Sequence, residues 1–123
     1  MRRLVLALAV AVFPATALSA QSVEEGYPRG SLAVAAIERG DWARAEALLN
    51  DDRDVSRSDP ARLLNLGQVY MHTGRTAEAL TAWRAALVSD RHTMMATLGG
   101  RYVSTRDLAR EALARHETVT AAR

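Results

Sequence analysis

A repeat with a period of 34 residues is the feature that most constrains how this chain can fold. Residues 40–45 (GDWARA) return as residues 74–79 (GRTAEA), 34 positions later. Each copy begins with a glycine that can end one helix, and helix-favouring alanines follow it. Periods of about 20–50 residues are typical of proteins built from stacked copies of one small unit. The pattern therefore predicts two related helical hairpins.

The first predicted hairpin consists of two short helices joined by a glycine. Ser31 can cap a helix over residues 32–39, and Gly40 can end that helix in the left-handed conformation. Asp41 can then cap a second helix over residues 42–50. Apolar side chains at helical spacing predict its inward face: Trp42, Ala45, Leu48 and Leu49.

A charged loop separates the two predicted hairpins. Residues 51–58 contain charges and serines with one apolar residue, so they complete the first unit (residues 31–58) as a solvated loop. Asp59 can cap the next helix, and Pro60 fits its first position because no amide is needed there. This third helix should continue to about Thr73.

A fourth helix completes the second unit, residues 60–93. Gly74 can close the third helix, and Thr76 can cap a fourth helix that ends near Ser89. Four apolar residues at helical spacing predict its inward face: Ala79, Leu80, Trp83 and Leu87.

Residues 92–104 do not have a helical period. Two short segments flank Gly99-Gly100, which predicts a β-hairpin whose turn uses glycine at positive φ. A short helix over residues 93–98 is the alternative, since methionine, alanine and leucine also favour helix.

A last helix over residues 105–117 is predicted from a cap at Ser104 or Thr105, with fraying at residues 119–123. Its apolar stripe comprises Leu108, Ala109, Ala112 and Leu113. The predicted fold class is therefore all-α, mainly helical, in one domain over residues 31–118. It combines helical hairpins, a possible short β-hairpin and a C-terminal capping helix.

Residues 1–20 have the composition of a cleaved signal peptide. Two arginines precede the apolar run of residues 4–13, and small residues continue to Ala20. Cleavage after Ala20 is predicted, with cleavage after Ala17 as the alternative. A retained membrane anchor is less favoured, because the run is shorter than the roughly 20 residues that a bilayer requires. A flexible leader is predicted behind the signal, over residues 21–30.

Cleavage of this signal changes the net charge of the chain. It removes Arg2 and Arg3, which leaves 14 of the 16 basic residues against 14 acidic residues. A chain without net charge lacks the basic face that nucleic acid binding needs. No second apolar run supports membrane insertion after cleavage. We therefore expect an exported chain, in the periplasm of a Gram-negative bacterium, that binds no nucleic acid.

The sequence has no recognisable catalytic or cofactor-binding motif. It contains no cysteine, which excludes thiolate metal sites. His72, His92 and His116 lie 20 and 24 residues apart, so they lack metal-binding spacing on one helix. A nucleophile elbow and a glycine-rich phosphate loop are missing too. We therefore predict a non-enzymatic protein with no cofactor and no metal.

The second unit resembles a tetratricopeptide repeat. Residues of the third helix stand at the family's large apolar, Leu-Gly and tyrosine positions: Leu63, Leu66, Gly67 and Tyr70. Residues of the fourth helix stand at its small, aromatic and small positions: Ala79, Trp83 and Ala86. The resemblance implies that Gly67 lets the two helices approach closely, with Tyr70 and Trp83 packed between neighbouring units. The first unit matches at fewer positions, and a third copy is missing.

The resemblance also implies a binding surface. In this family, ligands lie along the concave face formed by the first helix of each unit. The corresponding positions here are the candidate partner-binding residues: Ala61, Leu64, Asn65, Gln68, Met71 and His72. Asn65 and Gln68 can pair with a peptide backbone while the apolar residues supply contact area. The clamp that some family members use for a terminal carboxylate is not present.

The predicted function is binding of a protein or peptide partner on this helical face. A structural subunit of a cell-envelope complex is the alternative, and a small enzyme is less favoured. Two hairpins leave an apolar face open. Either the last helix covers that face through Leu108, Ala112 and Leu113, or a second copy does so in a homo-oligomer.

Overall fold

The computed structural model describes residues 26–51, 53–97 and 99–121. Within them lie five helices: α1 (Val34–Glu38), α2 (Trp42–Leu49), α3 (Pro60–His72), α4 (Thr76–Leu87) and α5 (Thr105–Ala121). Two antiparallel strands, β1 (Met94–Ala96) and β2 (Tyr102–Ser104), stand between α4 and α5. The predicted signal peptide, residues 1–20, lies outside the described residues.

Consecutive helices pack against each other along the chain. α2 packs on α1, α3 on α2, and α4 on α3, while α5 covers α4 and also contacts α3. Small buried residues in the main core, among them Ala61, Ala79 and Ala109, allow close approach of these three helices. A smaller core around Ala45 and Leu49 joins the first hairpin to α3. The mainly helical fold with a short β-hairpin and a C-terminal helix is confirmed.

The last helix covers the second hairpin from within the same chain. Ala109 and Leu113 are buried in the main core, and Leu108 and Ala112 pack at its edge. α5 continues to Ala121, four residues beyond the predicted end. Among the described helices, none is both long and apolar enough to cross a bilayer. Whether a second copy also contributes to this covering remains a prediction.

The first helix begins later than predicted, and Ser31 does not cap it. α1 starts behind Ala33, which has the left-handed φ of 56° and makes no side-chain capping bond. The Ala33 N–H donates to the Gly30 carbonyl at 3.1 Å, so a turn precedes the helix. A left-handed alanine costs about 1–2 kcal/mol. Burial of Leu32 and Ala33, only 0% and 2% exposed, offsets that cost.

Aspartate caps begin the second and third helices as predicted. The Asp41 carboxylate accepts from the Arg44 amide at 3.1 Å. The Asp59 carboxylate accepts from the amides of Ala61 and Arg62 at 2.9 and 3.1 Å, with Pro60 at the first helical position. Each cap satisfies amides that the helix itself leaves without partners.

The prediction that Thr76 caps the fourth helix is wrong. Gly74 has a φ of 79°, and the Arg75 amide donates to the Tyr70 carbonyl at 2.8 Å. This tight turn makes Arg75 the cap residue, without a side-chain capping bond, and Thr76 is already helical. The helix therefore begins one residue earlier than a threonine cap requires.

The β-hairpin is confirmed, and the alternative helix over residues 93–98 is wrong. Met94 pairs with Ser104 and Ala96 pairs with Tyr102, while Gly100 supplies the positive φ of 77° in the turn. Ser104 also caps α5, since its hydroxyl accepts from the Asp107 amide at 3.1 Å.

The chain packs against the core before the predicted start of order at Ser31. Tyr27, within the predicted leader, packs against the main core. Its hydroxyl donates to the Asp59 carboxylate at 3.2 Å and lies 3.4 Å from the Thr93 hydroxyl. Burial raises the pKa of Tyr27, so the hydroxyl keeps its proton near neutral pH. The tyrosine thereby connects the first described residues to α3 and the β-hairpin.

An ion pair connects the two units. Arg75 donates to both carboxylate oxygens of Glu46, at 2.9 and 2.5 Å, and its guanidinium lies 4.5 Å from the centre of the Tyr70 ring. Hydrogen bonding from Arg75 lowers the pKa of Glu46. The planar guanidinium suits this two-point geometry, which a lysine cannot reproduce.

We predict that Glu46→Gln removes part of the acid dependence of stability. A lowered pKa in the folded state means that ionised Glu46 contributes stability above its ordinary pKa of 4.5. That contribution disappears as the pH falls through the pKa that Glu46 has in the folded state. Urea unfolding at pH 7 and at about pH 3 should show wild type more stable than Glu46→Gln at pH 7, with a smaller difference in acid. An equal difference at both pH values would contradict the ion pair.

Candidate partner-binding groove

A groove of about 590 Å³ lies between α1, α3, the β-hairpin and α5. α3 contributes one row of side chains to it, and the other three elements supply its walls. The α3 residues in the groove are Leu64, Asn65, Gln68, Met71 and His72. The term groove below refers to this cavity.

Five of the six predicted partner-binding residues line the groove, and one does not. Ala61 is fully buried in the main core with Leu32 and Val34, so it offers no surface to a partner. Leu64 is also mostly buried, whereas Gln68 and Met71 are half-buried and His72 is exposed. The accessible part of α3 is therefore its second half. Binding by these residues stays a prediction.

Asn65 and Gln68 have different roles in the groove. The Asn65 side-chain amide donates to the Leu32 carbonyl at 2.8 Å, so it holds the turn before α1 against α3. The Gln68 side chain makes no hydrogen bond with the residues that the structure describes. A half-buried primary amide with spare donors and an acceptor can pair with both groups of a peptide bond. Gln68 is therefore the better candidate for contact with a peptide backbone.

Two histidines of the groove stack on tryptophans. The His72 ring lies 4.2 Å from the Trp42 ring at an interplanar angle of 6°, and the His116 ring lies 5.1 Å from the Trp83 ring at 24°. Stacking fixes the orientation of both imidazoles. Trp83 also fills the space over Gly67 within the second unit, where the sequence predicted packing between neighbouring units.

The walls of the groove come from residues that sequence analysis did not assign to binding. α1 supplies Ile37, the β-hairpin supplies Met95, and α5 supplies Leu108 and Ala112. Leu108 and Ala112 were predicted as capping residues only. Their helical stripe was visible in the sequence, but the helix against which it packs was not. The apolar walls offer contact area for a side chain inserted beside Gln68.

Charged residues of both signs lie along the rim. Glu111 and Arg115 form an ion pair on α5. Glu38 and Arg101 also line the groove, and neither forms an ion pair within the described parts of the chain. A mixed rim favours a partner that is not strongly charged at this surface.

Histidines and carboxylates do not gather into a metal site in the described ranges. These ranges contain no group of three or more histidine, cysteine or carboxylate side chains that could hold a metal ion. His92 lies beside Arg106, with 2.5 Å between its Nε2 and the guanidinium, outside the groove. His116, in the groove, stacks on the Trp83 ring.

Stacked helical hairpins with a groove along the first helix of a unit define a helical-repeat protein. Residues 61–89 match the family model described as Tetratricopeptide repeat. The match covers nearly all of α3 and α4, so this unit is similar to a tetratricopeptide repeat. No curated protein and no solved structure shows significant similarity to the chain.

Proposed function

We propose that this protein is a non-enzymatic interaction module that binds a peptide segment of a partner protein in the groove. Gln68 carries the proposal, because its half-buried side-chain amide lies in the groove, makes no hydrogen bond with the described residues and can therefore pair with a ligand. It stands between apolar residues on α3 and α5. The family match supports the same class of function, since such repeats generally bind proteins.

The groove suits an extended or turn-containing segment with one apolar side chain. Gln68 can donate to a backbone carbonyl and accept from a backbone amide of the segment. Met71 and Leu108 line the groove beside it and can contact the inserted side chain. Methionine adapts its shape at low cost, which suits such a contact.

Photo-crosslinking from Arg101, an exposed residue at the rim of the groove, tests this proposal. The chain contains no cysteine, so Arg101→Cys provides a single attachment point for a photoreactive label and leaves Gln68 in place. We expect one dominant crosslinked protein from an extract of the producing cell. Thr81→Cys, on an exposed part of α4, is the matched control and should not give that product.

Adding Met71→Asp to the labelled Arg101→Cys variant distinguishes groove binding from chance proximity. A carboxylate in the apolar part of the groove should reduce the yield of the crosslink by roughly tenfold, equivalent to about 1.4 kcal/mol. An unchanged yield, or the same product from Thr81→Cys, would contradict binding in the groove. Circular dichroism should confirm that each variant is folded.

We further propose that the protein acts outside the cytoplasm, on the composition of residues 1–20. Intact mass spectrometry of the protein from its native host is expected to show an N-terminus at Gln21. A mass corresponding to a chain that begins at Leu18 would support the alternative cleavage site after Ala17. A full-length mass with Met1 in the membrane fraction would contradict export and release.

A further inference from the structure

Three arginines are among the residues that line a second cavity, which is distinct from the groove. It measures about 590 Å³ and lies at the first hairpin, where Arg29, Arg39 and Arg44 line it and none of the described carboxylates does. Val34 is the one residue that it shares with the groove. This cavity is called the arginine pocket below.

The three arginines form no ion pair with the described residues. All three are exposed. A chain with nearly balanced charges can usually pair such groups locally. Three positive charges around one concavity therefore mark a surface that is complementary to negative charge.

The carboxylates of the first hairpin have contacts or positions outside the arginine pocket. Residues 31–50 contain three of them. Asp41 caps α2, and Glu46 pairs with Arg75 of the second unit. Glu38 lines the groove on the other side of α1. None of these three carboxylates lines the arginine pocket.

The inner surface of the arginine pocket is apolar and small. Ala33 and Ala36 are almost fully buried, and Leu48 is half-buried beside them. An occupant with negative charges at its edges and a modest apolar side chain at its centre fits these surroundings.

We propose that the arginine pocket binds an acidic peptide segment of a partner protein, rich in aspartate or glutamate. Guanidinium groups bind carboxylates at two points, which supports recognition of such a segment. A nucleic acid needs a longer basic stripe than three residues. A membrane surface needs exposed apolar side chains beside the charge. The large exposed apolar residues of the described chain, Val88, Met94 and Tyr102, do not line this pocket.

Binding of a defined peptide tests the proposal. The probe is a fluorescent peptide of about twelve residues in which pairs of glutamates alternate with single leucines, measured by anisotropy against the purified full chain. Replacement of Arg29, Arg39 and Arg44 together by glutamine should weaken binding on the order of tenfold. Raising the salt from about 50 to about 300 mM should weaken wild-type binding as well.

A matched control distinguishes binding in the arginine pocket from a general effect of net charge on peptide binding. Arg91→Gln, Arg106→Gln and Arg110→Gln remove the same charge from exposed positions on or near the β-hairpin and α5, and should change binding less than about twofold. Equal weakening in both triple variants would overturn the proposal. A triple Arg→Glu variant of the pocket should instead bind the corresponding lysine peptide.

Other occupants give distinguishable results. If the peptide binds only after Glu24→Gln and Glu25→Gln are introduced, the chain's own acidic pair occupies the pocket and an external partner is excluded. Tighter pocket-dependent binding to duplex DNA or to vesicles of anionic lipid than to the peptide would overturn the assigned ligand class. None of these outcomes depends on Gln68, so the groove and the arginine pocket are tested independently.

Discussion

Replacement of Gly67 by alanine is expected to destabilise the protein by about 1–3 kcal/mol, although alanine is the better helix former. A Cβ atom at this position lies 2.5 Å from Cδ1 and 2.7 Å from Cε2 of Trp83, and closer still to Nε1. The indole cannot easily move away. It is 5% exposed, its Nε1 donates to the Leu64 carbonyl at 3.2 Å, and it stacks on His116.

Chemical denaturation of Gly67→Ala and Gly67→Leu checks this expectation, with the larger loss in Gly67→Leu. The Trp83→Leu background provides the control, because it removes the atoms that the new methyl group meets. There, Gly67→Ala should be neutral or should stabilise by up to about 1 kcal/mol through helix propensity. Gly99→Ala should have little effect, since a Cβ at that site meets only Thr97 at 3.8 Å. An unchanged midpoint for Gly67→Ala in the wild-type background would show that α3 and α4 pack less closely than described.

The second large loss of stability is expected on replacement of Arg62, a buried cation at the start of α3. It is 5% exposed, and its guanidinium donates to the Leu49 carbonyl at the end of α2 and to the Arg57 carbonyl in the loop at 3.0 Å. Arg62→Met keeps the length of the side chain but removes these charge-assisted hydrogen bonds. We expect a loss of about 2–4 kcal/mol, because the buried Leu49 carbonyl and the part-buried Arg57 carbonyl lose their donor.

Thermal and urea unfolding measure the effect of Arg62→Met, and Arg62→Lys should be intermediate because an ammonium group cannot span both carbonyls in one plane. Arg53→Met is the matched control in the adjoining loop. Arg53 pairs with Asp51 at the surface, with its side chain 84% exposed, so its loss should leave the unfolding midpoint nearly unchanged. Similar losses at the two arginines would contradict a specific structural role for Arg62.

Five arginines between residues 29 and 75 illustrate how differently one residue type is used. Arg62 fixes the loop between the units, and Arg75 connects α2 to the second unit. Arg29, Arg39 and Arg44 line the arginine pocket. Composition does not distinguish these uses. Burial and the position of the nearest carboxylates decide which arginine stabilises the fold and which remains available to a partner.

Local rules were sufficient to predict most of the helical architecture. The 34-residue period placed both hairpins, and aspartate caps marked the starts of α2 and α3, because these signals act within a few residues of chain. Gly-Gly followed by Tyr-Val indicated the β-hairpin for the same reason. The sequence did not predict the helix starts at Ala33 and Arg75. Both depend on a backbone turn, and neither has a capping side chain that could be recognised in the sequence.

Only the tertiary structure decided what surrounds the predicted binding residues. The sequence, through its resemblance to a tetratricopeptide repeat, indicated Gln68 and Met71, and both line the groove. It could not show that α1, the β-hairpin and α5 enclose them, that the turn before α1 uses the Asn65 amide, or that Ala61 is buried. It also could not show three arginines around one cavity, since Arg29 lies 15 residues before Arg44. Contacts between distant segments depend on how helices pack against each other, and no local pattern of residues specifies that packing.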